Sequence, residues 1–340
     1  MSKKNASAQR LIATAVLLLS SASAFAVPSY TFKDLGEFQP FGLNDLGTLV
    51  GSADRLDPAQ PRAINNAGVS VGFFQDRAAQ WQGGQLTLLS ELPGSTWSSA
   101  EAINNQGDIV GSSRGAAVIW HNGQISELAS APEGPGAGAY GINEVGTIVG
   151  AVRLQSGRNH AAIWENGVAS LLPLPSYLLP ASSDTSSYAL GINNQNTVVG
   201  SLYGYATSFA AAWTNGQLQV LPPVTDAMEA WASGINDMGQ IVGTSSGSTS
   251  LVATLWEDGI AYDLGTLTTN APGWHLRQAY GINELGQIYG TASYGNGGPA
   301  RGFLLTPTNV PEADASIMGL LGLLGVGMWR VKRNKPAILA

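Results

Sequence analysis

The sequence predicts an all-β fold, a β-propeller of six to seven four-stranded blades closed by the N-terminal strand. Three observations lead to this fold class. A segment with two hairpin signals recurs along the chain, its copies lie about 40 residues apart, and the two chain ends hold complementary unpaired strands. Four strands in about 40 residues are typical of one propeller blade. A β-solenoid is the alternative architecture, but it would not need those complementary end strands.

The repeated segment is clearest in residues 100–128. The stretch from Asn104 to Gly107 predicts a first turn, because Asn favours the opening position of a type I turn and Gly the left-handed position that follows. Asn122 and Gly123 form the two-residue signal of a type I′ hairpin. Short runs rich in β-forming residues flank both turns. The segment therefore predicts four strands in a small antiparallel sheet.

The first turn recurs seven times. Its asparagine is Asn44, Asn65, Asn104, Asn143, Asn193, Asn236 and Asn283. Three residues later stand Gly47, Gly68, Gly107, Gly146, Asn196, Gly239 and Gly286. Asn is the non-Gly residue that best tolerates a left-handed conformation, so Asn196 supports the assignment. From Asn65 onward the turns are 39, 39, 50, 43 and 47 residues apart, whereas Asn44 precedes Asn65 by only 21. This predicts six full blades and leaves the first copy as a reduced blade or part of a neighbour.

Other positions repeat for packing reasons. The residue before each turn asparagine is Leu or Ile and is predicted to face inward: Leu43, Ile64, Ile103, Ile142, Ile192, Ile235 and Ile282. Before it stands only Gly or Ala: Gly42, Ala63, Ala102, Gly141, Gly191, Gly234 and Gly281. The second strand closes with Gly51, Gly72, Gly111, Gly150, Gly200, Gly243 and Gly290. Gly within a strand usually marks the close approach of another backbone.

A large aromatic residue ends the third strand of each copy. These residues are Trp81, Trp120, Trp164, Trp213 and Trp256, with Phe303 in the last copy. One large aromatic per sheet is predicted to wedge between neighbouring sheets. A platform for sugar rings is the alternative role. The last copy stops one strand short, and residues 30–36 resemble a lone fourth strand, which could close the ring and remove two sheet edges.

Composition excludes some function classes. The 340 residues contain no Cys, so disulfides and thiol chemistry are absent. Between Val27 and Pro311, nine Lys and Arg stand against 21 Asp and Glu, a difference of −12. Nucleic acids and anionic lipids are bound through cationic patches, so this composition argues against both as partners. The chain is expected to be a monomer.

The N-terminus predicts export. Lys3, Lys4 and Arg10 precede an apolar run over residues 11–19, and Ala24 and Ala26 form a small-residue cleavage pattern. This arrangement is typical of a secretory signal peptide cleaved after Ala26. A membrane anchor would need about 20 apolar residues, more than this run provides. The predicted domains are a signal peptide over residues 1–26, a propeller over 27–307 and a C-terminal tail over 308–340.

The repeat resembles a known family. Its pattern A-x-G-I-N-x-x-G-x-I-V-G, followed by A-A-x-W-x-N-G and a Leu-rich strand, is similar to the HAF repeat of bacterial extracellular proteins. The resemblance covers residues 30–305. It implies an exported repeat array and no particular activity.

The C-terminus resembles a PEP-CTERM sorting tail. Val310, Pro311 and Glu312 precede a Gly-rich apolar run over residues 317–329, and a basic cluster follows. That cluster is Arg330, Lys332, Arg333 and Lys335. Ala313 departs from the family pattern, which usually has a second Pro there. The resemblance implies an exosortase, a membrane protease of Gram-negative bacteria that make exopolysaccharide, as partner. It also implies transient anchoring in the inner membrane and then release to the cell surface or matrix. A plain C-terminal anchor is the alternative.

The search for catalytic chemistry finds no established motif. His121, His160 and His275 lack metal-ligand spacing, so neither a metal nor a cofactor is predicted, and no catalytic residue is assigned. The acidic residues Glu101, Glu144, Glu165 and Glu284 are interpreted as solvated loop charges. A propeller could still assemble a carboxylate pair for sugar hydrolysis from different blades.

Two function classes follow. The favoured one is a non-catalytic surface or biofilm-matrix protein that binds exopolysaccharide or surface proteins through its loops. The other is an exported carbohydrate-active enzyme, a hydrolase or lyase. Specificity is expected in two insertions, residues 173–188 and 267–277, because loops on rigid scaffolds carry function. Trp274, His275 and Trp231 are non-repeated residues in or near them.

Overall fold

The computed structural model describes residues 27–308, except 54–56, 133, 135, 175–184, 205–206, 225–226, 248–249 and 296. The predicted signal peptide with Ala24 and Ala26 lies outside the described residues. So do the predicted tail, from Val310 through the basic cluster, and most of the insertion over residues 173–188. Within the described part of the chain, all regular structure is β, in 26 strands.

The strands form seven antiparallel sheets, here called blades 1 to 7. Blade 1 contains β2 (Gln39–Leu43) and β3 (Leu49–Ser52). Blade 2 contains β4 (Ala59–Ile64), β5 (Ser70–Phe74), β6 (Arg77–Gln82) and β7 (Gln85–Leu88). Blade 3 contains β8 (Ser98–Ile103), β9 (Ile109–Ser113), β10 (Ala116–His121) and β11 (Gln124–Glu127). Blade 4 contains β12 (Gly136–Ile142), β13 (Ile148–Arg153), β14 (Asn159–Glu165) and β15 (Val168–Leu171).

The remaining blades follow the same strand order. Blade 5 contains β16 (Ser186–Ile192), β17 (Val198–Tyr203), β18 (Ser208–Thr214) and β19 (Gln217–Leu221). Blade 6 contains β20 (Ala227–Ile235), β21 (Ile241–Gly247), β22 (Leu251–Glu257) and β23 (Ile260–Asp263). Blade 7 contains β24 (Trp274–Ile282), β25 (Ile288–Tyr294), β26 (Arg301–Pro307) and, as its outermost strand, β1 (Tyr30–Asp34).

The first strand of each blade is innermost, and blades that follow one another pack face to face in a ring. The fold is therefore a β-propeller, as the sequence predicts, and the solenoid alternative is wrong. Six blades have four strands. The copy at Asn44 forms the two-stranded blade 1, which fills the seventh place between blades 7 and 2. Blade 1 stays short because only 21 residues separate its turn from the next.

The N-terminal strand closes the ring. β1 pairs antiparallel with β26, in a register that runs from Tyr30 opposite Pro307 to Asp34 opposite Phe303. Tyr30 is 1% exposed, and its backbone N–H donates to the carbonyl of Leu267 over 2.9 Å. β1 therefore supplies the fourth strand of blade 7 and pairs the edge of β26 that would otherwise be open.

The turns have the predicted geometry. In the first-hairpin turns, the Gly or Asn at the fourth position has positive φ, for example +83° at Gly146 and +59° at Asn196. The N–H of Gly146 donates to the carbonyl of Asn143 over 3.2 Å. In the second hairpin, both central residues have positive φ, with 48° at Asn122 and 77° at Gly123. These two values are those that a type I′ turn requires.

A β-bulge interrupts the first strand of every blade, opposite the glycine that closes the second strand. In blade 2 the register shifts between Pro61 and Ala63, so Arg62 is the extra residue. A Cβ added to Gly72 would overlap the carbonyl oxygen of Gln60, which explains the glycine there. The small residue after each bulge serves contact between blades. A Cβ on Gly234, for example, would lie 3.2 Å from Cα of Gly281 in the next blade.

The repeated tryptophans wedge between blades. Four of them are at most 1% exposed: Trp120, Trp164, Trp213 and Trp256. The indole N–H of Trp164 donates to the carbonyl of Ala129 in the preceding blade over 2.8 Å, and the other three make equivalent bonds. The sugar-platform alternative is therefore wrong for these four. Trp81 is half-buried, since the blade before it has only two strands.

The described residues contain no helix of the length and apolarity needed to cross a membrane.

Candidate functional site: the propeller axis and one cleft between blades

Seven asparagine side chains form a closed ring around the propeller axis. Each is the turn asparagine of one blade, and its Nδ2 donates to the backbone carbonyl of the turn asparagine in the next blade. The distances, starting from Asn44, are 3.0 Å to Asn65, then 3.2 Å to Asn104, 3.3 Å to Asn143, 3.0 Å to Asn193, 3.2 Å to Asn236, 3.3 Å to Asn283 and 2.9 Å back to Asn44. The last bond joins blade 7 to blade 1, so the ring counts seven places.

The same asparagines also fix their own turns. In blade 4, Oδ1 of Asn143 accepts the backbone N–H of Val145 over 3.2 Å and that of Thr147 over 2.8 Å. An amide has an acceptor for its own turn and a donor for the next blade, whereas a carboxylate has acceptors only. Turn propensity alone would accept Asp here as well as Asn. The bond between blades explains why Asn stands at all seven positions.

The residue after each turn asparagine forms a second ring, here called the turn ring. Its members are Asp45, Asn66, Asn105, Glu144, Asn194, Asp237 and Glu284. Each side chain accepts the backbone N–H of the corresponding residue in the preceding blade; Asp237, for example, accepts from Asn194 over 2.8 Å. The ring lines a cavity of about 420 Å³ at one mouth of the axis. Four of its seven members are acidic.

Glu144 and Glu284 are therefore not scattered, as the sequence interpretation has them, although the Glu284 side chain is exposed to solvent as expected. Both lie at the axis, where positions 39 to 239 residues apart come together. Partial burial raises the pKa of the Glu284 carboxyl, and the charges of Asp237, Asp45 and Glu144 raise it further. The hydrogen bond from the backbone N–H of Asp237 acts in the opposite direction. Glu165, in contrast, is exposed as expected.

The bulge residues form a third ring, here called the bulge ring, at the other mouth of the axis. Its members are Phe41, Arg62, Glu101, Tyr140, Leu190, Ser233 and Tyr280. They line a cavity of about 310 Å³, and the repeated Leu and Ile side chains lie between it and the turn ring. The bulges direct these residues to the axis. Their identity varies from blade to blade, whereas the rest of the repeat is nearly constant. Bulges often re-aim side chains in this way next to functional sites.

The charged members of the bulge ring contact neighbouring side chains. The Arg62 guanidinium lies 5.7 Å from the ring centre of Phe41 and 5.4 Å from that of Phe73. Glu101, interpreted from sequence as a loop charge, lies in β8 at the axis and accepts a hydrogen bond from the Ser99 hydroxyl. This mouth therefore combines aromatic walls with one cation and one anion.

A third cavity lies off the axis, between the loops of blades 6 and 7, and has a volume of about 730 Å³. We call it the 6–7 cleft. Asp263 contributes from blade 6, and Trp274, His275 and Arg277 contribute from blade 7. The sequence predicts an insertion over residues 267–277, but its last four residues are the start of β24. Trp231, also singled out from sequence, lies in β20 and away from this cleft.

The three histidines do not meet. His121 contacts Asp108, His160 Nε2 lies 2.9 Å from the carbonyl oxygen of Leu172, and His275 lies in the 6–7 cleft. Among the residues described, no three His, Cys, Asp or Glu side chains are grouped as a metal site would require.

The repeat residues predicted from sequence occupy four kinds of position. The asparagines Asn65, Asn104 and Asn143 belong to the axial amide ring. Gly68, Gly107 and Gly146 have positive φ in turns, whereas Gly72, Gly111 and Gly150 face the bulges. The tryptophans lie between blades. Sequence reasoning missed the bulge ring, because the only signal available was a variable residue at a fixed place in each repeat.

Comparisons with known proteins give similarities to solved structures at low sequence identity. No family model matches the chain, and a search of curated proteins finds no match. A gluconolactonase from Xanthomonas campestris is 14% identical, with 84% of this chain and 92% of that chain covered and a TM-score of 0.42. A triple arginine-to-alanine variant of AofleA from Arthrobotrys oligospora is 12% identical, with coverages of 83% and 91% and a TM-score of 0.36. TolB from Acinetobacter baumannii is 12% identical, with coverages of 71% and 51% and a TM-score of 0.34.

Proposed function

We propose that the chain is an exported, exosortase-sorted protein of the cell surface or biofilm matrix, and that its propeller is a non-catalytic binding and structural module. The observation that carries this proposal is that the repeated polar residues form hydrogen bonds between blades. The turn asparagines and the turn-ring side chains are each engaged in bonds between blades. The repeat thus builds a rigid closed scaffold and leaves recognition to residues that do not repeat, in loops and at strand ends.

The sorting half of the proposal rests on the sequence. Pro311 and Glu312 precede an apolar run that is short for a membrane span, and the basic residues after it favour a cytoplasmic end. The tail would hold the exported chain at the inner membrane until a membrane protease cuts near Pro311 and Glu312. The described residues end at Thr308, directly after β26, so cleavage there would leave every blade complete.

Fractionation of producer cells tests the sorting. Replacing Pro311 and Glu312 with Ala should leave export intact and trap the full-length chain in the inner membrane. Replacing Arg330, Lys332, Arg333 and Lys335 with Gln should instead weaken the stop signal and let the tail pass through. Immunoblots of membrane, surface and medium fractions report both results. A parent chain that keeps its tail in every fraction would show an anchored protein and contradict the proposal.

One observation favours the alternative, a carbohydrate-active hydrolase. The turn ring brings Asp45, Asp237, Glu144 and Glu284 to one mouth of the axis, and the raised pKa of Glu284 is a property of general acids. Incubation of the purified chain with the producer's exopolysaccharide separates the two functions. Retention of the polymer at unchanged length supports the binding module. Release of oligosaccharides by the parent, but not by Glu284→Gln, would establish the hydrolase.

A further inference from the structure

The 6–7 cleft has a rigid aromatic wall. The Trp274 ring centre lies 4.9 Å from that of Phe32 and 5.4 Å from that of Tyr294, and the Arg301 guanidinium lies 5.7 Å from it. Arg301 is in turn fixed by two hydrogen bonds to Asp34, of 3.0 and 2.6 Å. Tyr294 is 61% exposed and borders the cavity, because its ring packs on Trp274 and its chain neighbours Ser293 and Gly295 line the cavity. Contacts from three strands therefore hold Trp274 in place before any ligand arrives.

Two residues of this wall come from the N-terminal strand. Phe32 packs against Trp274, and Asp34 holds Arg301. The wall is consequently complete only when β1 has closed the ring. No other blade has an added N-terminal strand of this kind, which distinguishes this cleft from the equivalent space elsewhere in the described propeller.

The rest of the cleft is polar and carries groups of both signs. Arg277 is half-buried and forms no ion pair or hydrogen bond with any residue in the described part of the chain. Asp263 lines the same cavity from blade 6, and its Oδ1 accepts the N–H of Gly265 over 2.7 Å. His275 and Ser293 add further donors or acceptors. An exposed aromatic ring beside convergent polar groups, in a cleft of this size, is typical of a ligand site.

Sugar chains fit this chemistry better than other polymers. A sugar ring offers an apolar C–H face, which packs on aromatic rings, and hydroxyls that both donate and accept hydrogen bonds. A peptide bound as an added strand would need a free strand edge, whereas this cleft lies at strand ends. Polyanions are disfavoured by the acidity of the chain, −12 between Val27 and Pro311, and by the balanced charges of Asp263 and Arg277.

We propose that the 6–7 cleft binds a neutral polysaccharide segment, with one sugar ring packed on Tyr294 and its hydroxyls bonded to Arg277 and Asp263. This inference rests on the proposed binding function and assigns it a site and a ligand class. The bulge ring, which lies at the axis, would not contact this ligand.

Affinity electrophoresis of the full chain tests the site. Native gels would contain dextran, galactomannan or hydroxyethyl cellulose as neutral probes and alginate as the polyanionic probe. At least one neutral polysaccharide should retard the parent. Tyr294→Ala and Arg277→Gln should each weaken that binding about tenfold, a factor that corresponds to about 1.4 kcal/mol. Tyr203→Ala and Arg153→Gln, at the ends of the second strands of blades 5 and 4, should bind as the parent does.

Three results would overturn the proposal: no retardation by any neutral probe, retardation that both cleft variants retain, or retardation by alginate alone. Near-ultraviolet circular dichroism of each variant separates loss of binding from loss of fold. The outcome is independent of sorting. A chain that reaches the surface but binds no neutral polysaccharide refutes the site alone, and a chain that binds but is never sorted refutes only the proposed location.

Discussion

Replacing Asn143 with Asp would test whether the asparagine ring holds the blades together. The two side chains have the same shape, and Asp would still accept the N–H groups of Val145 and Thr147. What disappears is the donor. Nδ2 of Asn143 bonds the carbonyl of Asn193 at 3.0 Å and Oδ1 of Asn196 at 2.8 Å, both in blade 5. A carboxylate would place an acceptor against two acceptors.

The expected cost follows from burial and from the lost bonds. Asn143 is 4% exposed, so water does not replace its partners freely. Two hydrogen bonds contribute about 0.5–1.5 kcal/mol each, and unsatisfied buried groups cost about 1–3 kcal/mol more. We expect the free energy of unfolding to fall by about 3–5 kcal/mol at pH 7.

The pH dependence of the variant gives a second signature. The introduced carboxyl should have a raised pKa in the folded chain, because two acceptors face it. A raised folded-state pKa means that the stability is present below the unfolded-state pKa, about 3.9 for Asp, and is lost as pH rises through the folded value. The protonated carboxyl can donate to Asn193, so the deficit should shrink at pH 4.

Urea unfolding followed by tryptophan fluorescence, at pH 7 and pH 4, measures both effects. Asn215→Asp is the matched control, since Asn215 is exposed in a hairpin turn with φ of 52°. Its change should stay within about 0.5 kcal/mol. If Asn143→Asp unfolds at the same urea concentration as Asn215→Asp at both pH values, the ring does not stabilise the contact between blades.

Three further predictions concern closure, turns and the axial carboxylates. Tyr30→Ala should lower the free energy of unfolding by about 3–5 kcal/mol, whereas Thr31→Ala on the exposed face of the same strand should change it by less than about 0.5 kcal/mol; equal urea midpoints would contradict closure by this strand. Gly146→Val should cost about 1–3 kcal/mol through backbone strain alone, because φ is +83° and no atom lies within 4 Å of the added Cβ. Asn196→Gly should cost less in the same thermal melts, at most about 0.5–1.5 kcal/mol, because it relieves the left-handed strain and loses only the bond from Asn143 Nδ2. Because the pKa of Glu284 is raised above its ordinary 4.5, stability should decline as pH rises through the folded-state value, and Glu284→Gln should flatten that part of the stability profile.

The sequence by itself determined the repeat unit and its turns. A turn depends on residues at most four apart, so the φ preferences of Gly146 and Asn196 and the Asn–Gly hairpins could be predicted directly. The spare strand at residues 30–36 and the missing one after β26 were also visible, and together they predicted ring closure.

The tertiary structure decided what the repeated residues do for one another. The bond from Asn283 to Asn44 joins positions 239 residues apart, and the turn ring brings Glu284 next to Asp45. Neither contact leaves a local signal, because Asn and Asp open a turn about equally well and an acidic residue after the turn asparagine is compatible with solvent. The number of places in the ring was undecided for the same reason. The bond from Asn283 Nδ2 to the carbonyl of Asn44 shows that the ring has seven places.

Part of the 6–7 cleft could be predicted from the sequence, and part of it only the tertiary structure shows. Trp274 and His275 stood out in the sequence because they do not repeat, which predicted that specificity lies near them. That Phe32 and Asp34 support the same wall could not be predicted, since these residues come from the other end of the chain. The residue types near a site can be read from a short stretch of sequence, whereas the geometry of the site depends on which distant strands the closed ring brings into contact.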